Sequence, residues 1–285
     1  MKPATSVPTI DEGALQAIVG AYHGDPFGEL GMHQVGDSLV VRVFRPGVRS
    51  VVVQHAQEAG GVYPAMLVHP DGFFEAILEG EDERIPYLLR LTDHEGNEWD
   101  EHDPYSFGQI LGSMDLHLFG EGQHWRLYDK LGAHLAEVGG VAGTSFHVWA
   151  PNAQRVSVVG DFNQWDGRRH SMRKLVPNGV WEIFIPGVSE GTHYKFEVKQ
   201  AHGGIQLKSD PFAFFGQHST LTASLVFDLQ RYRWSDAEWM RKRETRQWHR
   251  EPISIYEVHL GSWQRKIEED DRYLSYHELA DSLLP

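Results

Sequence analysis

HVWAPNAQRVSVVGDFNQWDG, residues 147–167, reads as a strand, a tight turn, a second strand and a longer polar turn. The same wording occurs earlier in the chain. VRVFRPGVRSVVV (41–53) lines up with HVWAPNAQRVSVV (147–159) through Phe44-Arg45-Pro46 and Trp149-Ala150-Pro151. GFFEAIL (72–78) then matches GVWEIFI (179–185), and PYLLRL (86–91) matches HYKFEV (193–198). Asp103-Pro104-Tyr105-Ser106-Phe107 finally matches Asp210-Pro211-Phe212-Ala213-Phe214, with the offset always between 105 and 107 residues. Ordered matches at one offset mark an internal repeat, so the chain holds two tandem copies of one module.

Each copy alternates with period two, the mark of a strand with one buried and one exposed face. Trp181, Ile183 and Ile185 alternate with Glu182 and Phe184, and Tyr194, Phe196 and Val198 with Lys195, Glu197 and Lys199. Phe74, Ala76, Leu78, Tyr87, Leu89 and Leu91 keep the pattern in the first copy. Short strands, turn signals and about a hundred residues per copy predict a mostly β chain of two immunoglobulin-like sandwiches. Capping boxes at 9–12, 235–238 and 275–278 predict three helices. ISIYEVHL (253–260) predicts a strand before the last helix, so that the final segment reads as the opening of an α/β domain. The expected modules are 1–120 with a leading helix, 121–228, and 229–285.

The 285 residues carry a formal charge of −14, which argues against a nucleic-acid partner and an anionic membrane surface. There is no cysteine, hence no disulfide and no thiolate chemistry. The opening MKPATSVPTIDEG lacks the apolar core of a signal peptide, and no apolar run is long enough for a membrane span; a cytoplasmic protein is expected. The 17 histidines are scattered without ligand spacing, so no metal is expected. Glu257 and His259 alternate with Tyr256 and Val258 on the expected strand and alone define no chemistry.

Trp165 stands among turn formers, next to Asp161, Asn163 and Gly167. A flat exposed aromatic with polar neighbours suits a neutral sugar, which offers apolar C–H faces and a rim of hydroxyls. The alternative is a tryptophan folded back on its own sandwich. Lys195, on the polar face of its strand, is either a hydroxyl-binding donor or a solvated lysine. The corresponding tip of the first copy, HAQEAGGVY (55–63), has no tryptophan, and Tyr63 is its nearest aromatic. Trp165, Lys195 and Asn163 are the candidate carbohydrate-binding residues.

FHVWAPNAQRVSVVGDFNQWDGRRHSM (146–172) resembles the family 48 carbohydrate-binding modules. LHLFGEGQHWRLYDKLGAH (116–134), PISIYEVHLGSW (252–263) and LSYHELADSLLP (274–285) resemble the linker and the start of the (β/α)8 barrel of the 1,4-α-glucan (glycogen) branching enzymes, members of glycoside hydrolase family 13. The resemblance covers nearly the whole chain. It implies α-glucan as partner (glycogen or amylose-like), no cofactor, a monomeric full-length enzyme, and retaining transfer of an α-1,4 chain to a 6-hydroxyl through an Asp nucleophile and a Glu acid/base. Those carboxylates belong to later barrel strands, so no residue here is assigned a catalytic role and the chain alone is expected to be inactive. A family tryptophan matches Trp165 and a family lysine Lys195, but the second tryptophan position is Leu207. A stand-alone glucan-binding protein without catalysis is the alternative reading.

Overall fold

The computed structural model describes residues 8–56, 60–218 and 220–284. The start of the leader (1–7), part of the first copy's tip (57–59) and Pro285 lie outside the described residues. The chain divides into two compact units, 1–231 and 232–285.

The first copy opens with helix α1 (Glu12–Val19) and continues through β1 (Gly31–Val35), β2 (Ser38–Phe44), β3 (Val48–His55), β4 (Val62–Pro64), β5 (Met66–His69), β6 (Phe73–Leu78), β7 (Tyr87–Asp93) and β8 (Glu98–Glu101). One sheet runs β1-β2-β6-β5 and the other β4-β3-β7-β8. Val41, Val43, Phe74 and Ala76 of one meet Val51, Val53, Leu89 and Leu91 of the other in a single core. The second copy holds α2 (Ser113–Gly120), β9 (Gly132–Val138), β10 (Val141–Trp149), β11 (Ala153–Gly160), β12 (Arg173–Leu175), β13 (Val180–Pro186), β14 (His193–Gln200), β15 (Ile205–Lys208), β16 (Phe215–Gly216) and β17 (Ser224–Leu225). Its sheets run β9-β10-β13-β12 and β11-β14-β17-β16, with β15 on the side of β14. Phe146, Val156, Val158, Trp181, Ile183 and Phe196 fill its core.

The repeat holds at the level of single bonds. Tyr87 Oη donates to Asp103 Oδ2 at 2.7 Å, and Tyr194 Oη donates to Asp210 Oδ2 at 2.6 Å. In both copies burial pushes the aspartate upward from its ordinary pKa. Register slips fall between Val48 and Ser50 and between Ala153 and Arg155, the same bulge twice.

The structure also extends the repeat beyond the strands. Leu30-Gly31-Met32-His33 and Leu131-Gly132-Ala133-His134 enter their sandwiches alike: each histidine Nε2 lies 2.9 and 3.0 Å from the leucine carbonyl. Gly31 (φ +88°) and Gly132 (φ +99°) each lie where a side chain would strike a carbonyl of the Asp-Pro turn. Upstream, α1 and α2 each lie on the outer face of a first sheet, α1 with Phe44 and Phe73, the α2 segment with Leu175 and Val180. So α2, assigned by pattern to the first module, packs on the second sandwich.

These covers explain why the predicted polar face of β13 is not exposed: Glu182 and Phe184 are as buried as their neighbours. Glu182 accepts the backbone N–H groups of Ile110 and Leu111, both at 3.0 Å. Burial acts to raise its pKa, but His147 and those backbone bonds outweigh it and hold the carboxyl below its ordinary value. Glu75 is its twin, accepting from Thr9 N at 3.0 Å and Thr9 Oγ1 at 2.7 Å. Thr9 is thus occupied, and Asp11 rather than Thr9 caps α1, accepting from Gly13 N and Ala14 N.

In the second unit α3 (Ala237–Thr245) forms, although its cap Asp236 makes no side-chain capping bond, so the predicted box at 235–238 is absent. Helix α4 (Leu260–Trp263), the hairpin β18 (Arg265–Lys266) with β19 (Arg272–Tyr273), and α5 (Tyr276–Leu283) follow. The box at Ser275 and Glu278 is present. ISIYEVHL is not a strand: residues 252–259 have no regular structure, and Leu260 begins a helix. A barrel strand takes its ladder bonds from neighbouring strands, and among the described residues none pairs with this segment.

Candidate functional site

The loop between β11 and β12 has been rebuilt relative to the first copy. There, β4 pairs with β3 at Val52, Val53 and Gln54. Here a lone bridge, Ser157 with Ser171, takes the place of that ladder. Side chains supply the missing bonds. Asn163, with no exposed surface, accepts from Gly160 N at 3.0 Å and donates to Val158 O at 2.8 Å. Its Nδ2 also lies 2.9 Å from His170 Nδ1. Burial, with Arg45 and Arg169 nearby, drives His170 well below its ordinary pKa and keeps it neutral. Arg155, buried under the loop, donates to Ser157 Oγ, the Gly167 carbonyl and Glu197.

The first copy braces this loop from outside. Arg169 Nη2 donates to Pro46 O at 2.9 Å, and Tyr105 Oη accepts from Ser171 N at 3.1 Å. Just ahead of these anchors Gln164 (φ +58°) and Trp165 (φ +60°) sit consecutively in the left-handed region. For a bulky residue that conformation is costly and persists only where the surroundings impose it.

The result presents Trp165 outward. Its side chain is absent from the core, where Phe162 packs instead, and the residue keeps 37% of its surface exposed. The indole Nε1 donates to Asp161 Oδ1 at 2.8 Å, fixing the ring. Lys195 pairs in register with Val159, one residue from where the loop leaves β11. Its Nζ donates to Thr222 Oγ1 at 2.7 Å. Leu207 pairs with Glu197, two residues along the same face of the sheet, and is exposed. Of the three predicted site residues, the structure brings Trp165 and Lys195 to one end of one sheet and turns Asn163 inward. Asn163 holds the loop; it has no surface with which to meet a ligand. Sequence reasoning missed Arg155 and His170, whose inward aim no periodicity in a turn reveals.

An exposed indole fixed at its edge can stack on the C–H face of a pyranose, and an ammonium beside it can donate to hydroxyls. Two family models match the chain: "Carbohydrate-binding module 48 (Isoamylase N-terminal domain)" over residues 130–213, and "alpha-1,4-glucan branching enzyme GlgB, N-terminal domain" over residues 11–105. The 1,4-alpha-glucan branching enzyme GlgB of Myxococcus xanthus is 48% identical over 95% of this chain and 37% of its own length. That of Rubrobacter xylanophilus is 51% identical over 96% and 37%. The chain corresponds to the amino-terminal part of the GlgB branching enzymes. It spans little more than a third of the GlgB relatives it matches. A solved pullulanase from Bacillus subtilis, in complex with maltose, covers 72% of this chain and 27% of its own at 15% identity, with a TM-score of 0.31 that is too low to carry a conclusion. The GlgB amino-terminal model falls on the first sandwich and the family 48 model on most of the second. Among the described residues no helix is long and apolar enough to cross a membrane.

Proposed function

We propose that this chain is the glucan-engaging amino-terminal part of a 1,4-α-glucan branching enzyme that acts in the cytoplasm. The whole enzyme would transfer an α-1,4-linked chain to a 6-hydroxyl, while these residues would hold α-glucan and contribute no catalytic carboxylate. The observation that carries the binding part is Trp165, exposed on a strained turn that buried side chains and the first copy hold in place. A packing tryptophan would not need that strain. One platform without a second, Leu207 standing where a partner aromatic would stack, supports weak rather than tight binding.

Retention on immobilised amylopectin tests this reading. The 285-residue chain should be retarded, Trp165→Ala should run with the void protein, and Lys195→Ala should be retarded less than the parent. Equal retardation of parent and Trp165→Ala would remove Trp165 from the site. In the same preparation, the iodine colour of amylose should stay constant, because retaining transfer requires a carboxylate pair that these residues would not provide. Loss of colour would overturn the non-catalytic part of the proposal.

A further inference from the structure

On the other side of the Trp165 loop the two copies leave a cleft of about 410 Å³ between them. Its first wall is the edge of the first sandwich, with Trp99 and Asp100 on β8, Glu101 at its end, and Arg45 behind them. The second wall is Phe162 and Arg169 of the loop with Thr192 at the start of β14. Val48, Leu91 and Val188 give it an apolar lining.

The composition narrows the ligand. Each charged side chain of the lining already has an opposite charge, Arg45 with Glu101, Asp100 with Arg90 and Arg169 with Asp166, so the cleft offers no unpaired charge to a guest. Arg45 Nε is already held by Glu101 at 2.6 Å, which disfavours a strongly ionic guest. Trp99 is 40% exposed, with Nε1 3.4 Å from Glu101 Oε2. Arg169 Nε is buried without a hydrogen-bond partner. An aromatic ring, an apolar lining and fixed polar groups at the rim match a ligand that is neutral, has apolar faces and is edged with hydroxyls. The volume falls within the range of small-ligand sites, about 300–1,000 Å³.

The repeat gives Trp99 its meaning. Asp100 pairs with Arg90 as Leu207 pairs with Glu197, so Asp100 is the first copy's equivalent of Leu207. Trp99 is one residue away, and alternation turns it to the opposite face, the one it shares with its partner Leu91 of the cleft's apolar lining.

We propose that the cleft between the two sandwiches is a second binding site, for a neutral oligosaccharide, with Trp99 as its stacking platform and Arg169, Glu101 and Thr192 at its rim. It does not depend on Trp165. Calorimetric titration of the 285-residue chain with maltoheptaose tests it. Trp165→Ala should still bind, and adding Trp99→Ala should weaken that remaining binding at least tenfold. Thr192→Tyr, which fills the cleft from the opposite wall, should do the same with Trp99 untouched, and thermal melts would show that each variant folds. If Trp165→Ala already abolishes binding, the cleft is not a site, although the Trp165 reading stands. Equal affinity in Trp165→Ala and in both cleft variants also overturns the proposal. No binding by the parent chain overturns both readings.

Discussion

The two copies share a scaffold and differ most tellingly at one tip and one helix. The first copy has a regular β4 ladder at its tip and a helix that buries Leu15, Ala17, Ile18 and Val19. The second has a tip in which buried side chains supplement a few backbone bonds, and its helix α2 buries no residue. The backbone ladder needs no particular side chain, whereas the second tip requires Asn163, Arg155 and His170. What the second tip gains is an outward tryptophan in a conformation no ladder would hold. The difference teaches that the first copy has given up display for support: Pro46 and Tyr105 are partners of the loop it does not itself possess.

The largest expected effect would test what the copies share. Glu75 and Glu182 are twin buried carboxylates, and replacing either by alanine should cost about 3–5 kcal/mol in urea unfolding, because buried donors lose their partner. A cost at one position only would break the equivalence of the two helix covers. Next, Asn163→Ala should cost about 1–3 kcal/mol, the usual penalty for unpaired buried groups, and should reduce amylopectin retardation as well. Loss of stability with unchanged retardation would separate the loop's bonds from its display.

A pH titration sharpens the comparison at His170. Its folded pKa lies well below the ordinary 6.5, so below that pH the unfolded chain takes up a proton that the folded chain refuses. Stability is therefore complete above about pH 6.5 and falls as the pH drops, by at most about 1.4 kcal/mol per unit. His170→Gln should flatten that fall relative to the parent, and parallel curves would show that the loop does not feel this proton. The smallest stability effect should come from Trp165→Ala, within about 0.5 kcal/mol of the parent because the ring is outside the core. A larger loss would mean that the ring supports the loop as well as crowning it.

Much of this architecture was legible in the sequence, for reasons that also mark where it was not. The sandwiches could be read because strand alternation and the Asp-Pro turn recur in order, and the Tyr–Asp bonds fall on those matched words. The leading helix could be read as well, but its repetition over the second copy could not, since EGALQAIV and SMDLHLFG share no pattern; only Leu-Gly-x-His, at 30–33 and 131–134, betrays it. Trp165 was visible as an oddity among turn formers. Asn163 looked equally exposed, because a turn has no period that separates inward from outward. ISIYEVHL carries the right alternation for a strand but has no strand paired with it among the described residues, and pattern alone does not make a ladder.

The bracing of the Trp165 loop has a practical consequence for dissecting the molecule. An excised fragment cut at the limits of the family 48 match, 130–213, would leave behind Pro46 and Tyr105, which anchor the loop, and Ile110 and Leu111, which occupy Glu182. Such a piece would keep Trp165 and Lys195 but lose α2, β16 and β17 and the geometry that aims the tryptophan. A failure of that piece to hold starch would report on the scissors, not on the site.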